Sequence, residues 1–155
     1  MNVKTISECK QEGIDPEILF WVGSAGSFDD RAKRITRSFV RILNNAGVNF
    51  AVLGEEESCT GDVAKRAGNE FLFQMQAVMN IEILNGYNIK NIVTTCPHAY
   101  NTLKNEYKEL GGTYQVWHHT EFILKLFKMG KLNLSQDLSG KKVTYHDPCY
   151  LGRGN

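Results

Sequence analysis

The chain has 155 residues, of which 42% are hydrophobic and 23% are charged, as is ordinary for one globular domain. Its 18 basic and 17 acidic side chains give a formal net charge of +1, which does not favour nucleic acid as a partner. The longest apolar runs are far shorter than the roughly 20 residues of a membrane-spanning helix, so we expect none in this segment. The first residues do not resemble a signal peptide, and we therefore expect a cytoplasmic, reducing location, where cysteines bind metals rather than form disulfides.

The first half of the chain alternates between short apolar runs and helical patterns. We predict an N-terminal extension over residues 1–17 that includes a helix, and a first strand over residues 18–22, which ends at a glycine. A helix that ends at Gly47 and a second strand over residues 49–53 follow. Asp62 is then expected to cap one long helix. The spacing predicts that this helix buries Ala67, Phe71, Met75, Val78, Ile81 and Leu84.

The second half continues the alternation. We predict strands over residues 91–95, 114–117 and 142–146 and helices over residues 98–110 and 119–128. The polar stretch 131–142 is expected to be a surface connection. Strands that alternate with helices at this spacing indicate a doubly wound, Rossmann-like three-layer α/β fold with a parallel sheet of about five strands.

Three of the four cysteines, Cys59, Cys96 and Cys149, lie just beyond predicted strands. Because the carboxyl ends of parallel strands share one edge, we expect these cysteines to meet at a ligand site. Thiolates suit iron–sulfur clusters and zinc. Glycines near the strand ends, such as Gly61, either make turns or let backbone N–H groups approach sulfur atoms. Histidines also lie near strand ends, at positions 98, 118, 119 and 146.

At these positions the sequence resembles the CCG cysteine-rich domain of the heterodisulfide-reductase type, which occurs in iron–sulfur oxidoreductases. It is most similar to a bacterial branch associated with acyl-CoA oxidation, which has Cys-Thr-Gly-Asp where other members have Cys-Cys-Gly; here that element is residues 59–62. Further matching strings are residues 66–74, Thr-Thr-Cys-Pro-His at 94–98, residues 101–107, residues 118–121, and Thr-Tyr-His-Asp-Pro-Cys-Tyr-Leu-Gly-Arg at 144–153. The resemblance covers residues 18–155 as the first copy of a domain that is followed by a second.

The resemblance implies an electron-transfer domain that binds a [4Fe–4S] cluster. The four implied ligand positions read Ser24, Cys59, Cys96 and Ala99, so two of the four thiolates are replaced. Cys149 would serve a second cluster whose other ligands lie beyond Asn155. The implied partners are a second CCG domain or a flavoprotein, and full-length relatives can be membrane-associated. By this resemblance, the segment is a fragment of an oxidoreductase subunit and does no chemistry alone.

The residues leave three other interpretations open. One is a zinc site that uses Cys59, Cys96 and His98. Another is a non-catalytic α/β module that binds a partner chain, in which the cysteines and histidines are ordinary core or capping residues. The third is a cysteine nucleophile with His98 as its base, although no Cys-x5-Arg signature follows Cys59 or Cys96.

Overall fold

A four-stranded parallel sheet forms the centre of the computed structural model, which describes residues 3–134 and 139–155. The strands lie in the order β2-β1-β3-β4. Their bounds are β1 Ile18–Trp21, β2 Phe50–Ala51, β3 Asn91–Thr94 and β4 Gln115–His118. Leu19 of β1 is paired with Ala51 on one side and with Ile92 on the other. The doubly wound parallel α/β fold is therefore confirmed, and the strand order reverses between β1 and β3.

Helices cover both faces of this sheet. They are α1 Ile6–Gln11, α2 Gly23–Phe28, α3 Asp30–Asn45, α4 Asp62–Arg66, α5 Glu70–Gly86, α6 Pro97–Asn101, α7 His119–Lys128 and α8 Cys149–Gly152. The helical chain after α6 changes to a π-turn over Thr102–Glu106 and then to a 3-10 turn over Tyr107–Leu110. No helix in the described part of the chain is long and apolar enough to cross a membrane.

The core has two halves, one on each face of the sheet. Leu19 and Trp21 of β1 belong to the half that packs against α1, α5 and α6, whereas Ile18 and Phe20 belong to the half that packs against α3 and α7. Alternate residues of a strand point to opposite faces, and all four residues of β1 are buried. This burial on both faces explains why β1 reads as an unbroken apolar run in the sequence.

The long helix predicted from Asp62 is two helices, and its predicted buried side is partly wrong. Gly68 adopts a φ of +82° and Asn69 caps α5, so the helical phase starts again at Glu70. The buried residues of α5 are Phe73, Ala77, Asn80, Ile81 and Leu84. The expected residues Ala67, Phe71, Met75 and Val78 are exposed, whereas Ile81 and Leu84 are buried as predicted.

The predicted fifth strand is also wrong. Residues 142–146 are in the described part of the chain, but they are paired with no strand there. Val143 and Tyr145 are 83% and 72% exposed, so this segment buries too little apolar surface to offset the entropy cost of ordering a strand. The predicted connection over residues 131–142 includes residues 135–138, which lie outside the described ranges.

Candidate functional site

A cavity of about 520 Å³ lies at the carboxyl ends of β1, β2 and β3. Its wall includes Ser24, Cys59, Cys96 and Ala99, together with His98 and His119. The cavity is located where the strand order reverses between β1 and β3, which is the usual ligand position in a doubly wound sheet. The fold therefore brings together four residues that are separated by up to 75 positions in the sequence.

The loop after β1 enters the cavity through a glycine. Gly23 adopts a φ of +78°, which side chains other than glycine rarely tolerate. A Cβ atom at Gly23 would lie 4.0 Å from the Cβ atom of Cys96, so the loops after β1 and β3 are in direct contact. Ser24 follows in the first turn of α2 with an exposed side chain.

A carboxylate joins the loop after β1 to the loop after β2. The Glu57 side chain accepts hydrogen bonds from the N–H groups of Val22 at 2.9 Å and Gly23 at 2.6 Å. Burial raises the pKa of Glu57 to about 7, and the two N–H donors partly oppose that rise because they stabilise the charged form. Glu57 lies two residues before Cys59, so it fixes the neighbour of Ser24 relative to the neighbour of Cys59. Sequence reasoning missed this residue because a single glutamate carries no signal of a contact 35 positions away.

The backbone around Cys59 is held by a buried asparagine. Asn80 of α5 is 1% exposed, and its amide donates to the Cys59 carbonyl at 2.9 Å and to the Tyr107 hydroxyl at 3.0 Å. The Ser58 hydroxyl donates to the Asn80 carbonyl oxygen at 2.8 Å. The Tyr107 hydroxyl donates in turn to the Thr60 carbonyl at 3.0 Å. The Cys59 loop is thus fixed by side chains from two other parts of the chain.

Gly61 lets the backbone approach the sulfur of Cys59. The Gly61 N–H donates to Cys59 Sγ at 3.4 Å, as the sequence predicts for a glycine at this position. Gly61 adopts a φ of +84°, and a Cβ atom there would lie 2.9 Å from the Phe73 ring and 3.2 Å from the Phe73 carbonyl oxygen. Hydrogen bonds to sulfur and burial are the means by which proteins tune thiolate ligands.

Cys96 and Ala99 are positioned by the start of α6. Cys96 is the N-cap residue and is half-buried, with Pro97 in the first turn. The Cys96 N–H donates to the Thr94 hydroxyl at 3.2 Å. Ala99 lies one turn further on, is 4% exposed and presents only a methyl group to the cavity wall.

His98 is paired with a buried aspartate. Its Nδ1 atom lies 2.9 Å from Asp62 Oδ2, and Asp62 also accepts from the Arg66 guanidinium at 3.1 Å. Gly61, and not Asp62 as expected, is the N-cap of α4. The Tyr150 ring lies over His98 at 4.4 Å between centroids. Cys149, the neighbour of Tyr150, is exposed and does not line the cavity.

Two further histidines follow β4. Their rings lie 4.3 Å apart, and only His119 lines the cavity. Burial lowers the pKa of His119 to about 4, and the neighbouring His118 adds to that effect. Burial also lowers the pKa of His118. Both rings are therefore neutral near pH 7, and the buried Nδ1 of His119 has no hydrogen-bond partner among the described residues.

The donor set of the cavity is short of thiols. Ser24, Cys59, Cys96 and Ala99 supply two thiols, one hydroxyl and one methyl group. A [4Fe–4S] cluster is held by four cysteine thiolates, so these residues do not fit such a cluster as they stand. Within residues 3–134 and 139–155, no three Cys, His, Asp or Glu side chains are grouped closely enough to hold a metal ion.

Comparisons with known proteins agree with the resemblance. The family model of the CCG cysteine-rich domain matches residues 18–104. The chain is 51% identical over 145 residues to an EtfAB:quinone oxidoreductase of Syntrophomonas wolfei, with 94% of this chain and 20% of that protein covered. It is 50% identical over 154 residues to the probable iron-sulfur-binding oxidoreductase FadF of Bacillus subtilis, with 99% and 22% covered.

A more distant relative is one of the proteins of the dihydromethanophenazine:CoB–CoM heterodisulfide reductase of Methanosarcina barkeri. It is 30% identical over 143 residues, which cover 88% of this chain and 34% of that protein. This chain therefore spans between a fifth and a third of the length of these relatives. No solved structure gives a significant match. Since the family model matches more than half of the residues, the chain belongs to the CCG family of cysteine-rich domains.

Proposed function

We propose that this chain is an electron-transfer domain of an iron–sulfur oxidoreductase, and that its own [4Fe–4S] site lacks two of four ligands. The observation that carries the proposal is the single cavity at the β1/β3 reversal that Ser24, Cys59, Cys96 and Ala99 all line. The relatives include proteins named as iron–sulfur-binding and quinone-linked oxidoreductases, which supports the same chemistry.

The shape of the cavity supports a cluster better than it supports the chemistry of a single catalytic cysteine. Glycines at two of the strand ends bring backbone N–H groups close to the cavity, and one of these groups already donates to Cys59 Sγ. Hydrogen bonds of this kind adjust the potential of a cluster without supplying a ligand. Ser24 offers a harder and weaker ligand than a thiolate, and Ala99 offers none.

The test is to restore the two thiols with Ser24→Cys and Ala99→Cys and to reconstitute the protein anaerobically with iron and sulfide. The double variant is expected to take up about four iron atoms per chain and to gain the visible absorption and the EPR signal of a reduced cluster. Iron content is measured directly, so the readout does not depend on any enzymatic activity.

A matched control places the same new thiols outside the cavity. Ser38→Cys and Ala67→Cys are exposed positions that do not line it. This control and the unaltered chain should hold well under one cluster per chain. If the unaltered chain takes up iron and sulfide as fully as the Ser24→Cys, Ala99→Cys variant, the assignment of an incomplete site is wrong.

The proposal extends to partners and location. We infer that Cys149 belongs to a second cluster site, which other residues must complete, because it is exposed and lies outside the cavity. The electron-transfer partner is a second CCG domain or a flavoprotein that reaches the cavity rim, and the domain acts on the cytoplasmic side. EtfAB, which appears in the name of a 51%-identical relative, is the first flavoprotein to try.

A further inference from the structure

The outer face of α3 carries a row of four arginines. Arg31, Arg34, Arg37 and Arg41 are all exposed. At about 100° per residue they fall within about 120° of one another, opposite the side that buries Phe39, Val40 and Leu43. At a rise of 1.5 Å per residue the row is about 15 Å long. We call these four residues the arginine row.

The arginine row has no acidic neighbours to neutralise it. None of its four members forms an ion pair in the described part of the chain, where the one ion pair of α3 joins Lys33 to Asp30. The α3 sequence contains five basic residues and one acidic residue, which gives this helix a net charge of +4. The whole chain has a net charge of +1, so the remainder carries −3. The small total charge conceals a strongly polarised molecule.

The row begins at the rim of the cavity. Ala32 and Ile35, which alternate with the first two arginines along the helix, line the cavity wall. Ile35 is 47% exposed and Phe28, just before α3, is 81% exposed. Exposed apolar side chains beside arginines are the composition that distinguishes protein–protein interfaces from the rest of a surface.

We propose that the arginine row and the adjacent Phe28 and Ile35 form the docking surface for a protein partner with an acidic patch. Complementary charge steers such a partner and fixes its orientation on encounter. A partner aligned along α3 would meet the cavity rim at the N-terminal end of the row. The remaining surface, at −3, disfavours extended polyanions such as duplex nucleic acid or an anionic bilayer, which would contact more than one helix. The choice of an electron-transfer partner rests on the proposed function.

The experiment measures association of the 155-residue chain with EtfAB of Syntrophomonas wolfei at low and high salt by stopped flow. The test variant carries Arg→Gln at positions 31, 34, 37 and 41. The control variant carries Lys→Gln at the exposed positions 90, 108, 128 and 131, which lie on other elements. Both variants lose four positive charges, and circular dichroism checks that both are folded.

For the unaltered chain we expect association to slow roughly 10-fold or more as salt is raised. The arginine variant should lose at least about 10-fold at low salt and most of its salt dependence, whereas the lysine variant should stay within about 3-fold. Equal losses in the two variants, absence of binding to EtfAB, or tighter binding to duplex DNA or to phosphatidylglycerol vesicles would overturn the proposal. The assay uses the metal-free chain. Failure of iron uptake in the restored variant would therefore refute the proposed function and leave this result standing.

Discussion

Replacing Asn80 with alanine tests whether one buried side chain holds the Cys59 loop in place. The Asn80 amide donates to the Cys59 carbonyl and to the Tyr107 hydroxyl, and its carbonyl oxygen accepts from the Ser58 hydroxyl. Alanine removes all three hydrogen bonds and leaves the rest of α5 unchanged. The exchange isolates the contribution of this side chain because no charge is altered.

The size of the effect follows from the three hydrogen bonds. Each contributes about 1 kcal/mol net to the free energy of unfolding, which gives about 3 kcal/mol. Ser58 and Cys59 are exposed residues, so water can replace part of what the carbonyl and the hydroxyl lose. Alanine is also the better helix former by about 0.5 kcal/mol. We therefore expect Asn80→Ala to lower the free energy of unfolding by about 2 kcal/mol.

Equilibrium unfolding in urea is the assay. With a slope of about 2 kcal/mol/M for a chain of this size, the midpoint should fall by about 1 M. Asn44→Ala is the matched control because Asn44 is exposed on α3 and makes no side-chain hydrogen bond in the described residues. The control should change stability by less than about 0.5 kcal/mol. If Asn80→Ala changes it as little, then the Cys59 loop does not depend on this asparagine and the reasoning fails.

Three further outcomes follow from the site. Gly61→Ala should lower the free energy of unfolding by about 3 kcal/mol in urea, since it combines a positive φ with a collision against Phe73; a loss under 1 kcal/mol would contradict this. Because the pKa of His119 falls to about 4, its contribution to stability is present above pH 6.5 and is lost as the pH falls towards 4. His119→Phe should therefore gain about 2 kcal/mol relative to the unaltered chain between pH 7 and pH 4.5, and an unchanged difference would refute the burial of a neutral ring. The metal-free Ser24→Cys, Ala99→Cys variant should unfold within about 0.5 kcal/mol of the unaltered chain; an unfolded apoprotein would show that the cavity needs its metal to form.

The position of the cavity follows from the sequence, because it depends on local signals alone. The apolar runs of β1 and β3 end at Gly23 and at Cys96-Pro97, and parallel strands must place those ends on one edge. The strand order cannot be read in this way. It depends on which strands pair across the sheet, and the reversal between β1 and β3 that opens the cavity is a long-range contact.

Two errors in the predicted elements have simple physical causes. The predicted period of α5 runs through Gly68, but a residue with positive φ ends one helix, and the next starts with a new phase. The sequence pattern therefore places Phe71 in the core and overlooks Asn80, although Phe71 is 75% exposed and Asn80 is 1% exposed. Residues 142–146 have strand-like composition, but a strand exists only where a neighbour accepts its hydrogen bonds.

The residues that sequence reasoning missed are polar groups whose roles depend on distant partners. Glu57 contacts backbone groups 34 and 35 positions away, and Asn80 contacts residues up to 27 positions away. Neither belongs to a periodic pattern or to a metal-ligand spacing. The arginine row was hidden for another reason: total charge sums over the whole surface, and only the helical phase of α3 shows that four charges lie together.

The groups that shape the cavity are not the groups that would ligate a cluster. Glu57 holds the loop after β1, Asn80 and Tyr107 hold the loop after β2, and none of them is a cysteine. The positions of Ser24 and Ala99 are therefore fixed by hydrogen bonds that do not involve thiols. Loss of two thiols from such a site removes ligands without removing the fold that presents them. The cavity rim and the arginine row beside it persist whichever residues occupy positions 24 and 99, and a partner that recognises them would dock on the domain whether or not it carries iron.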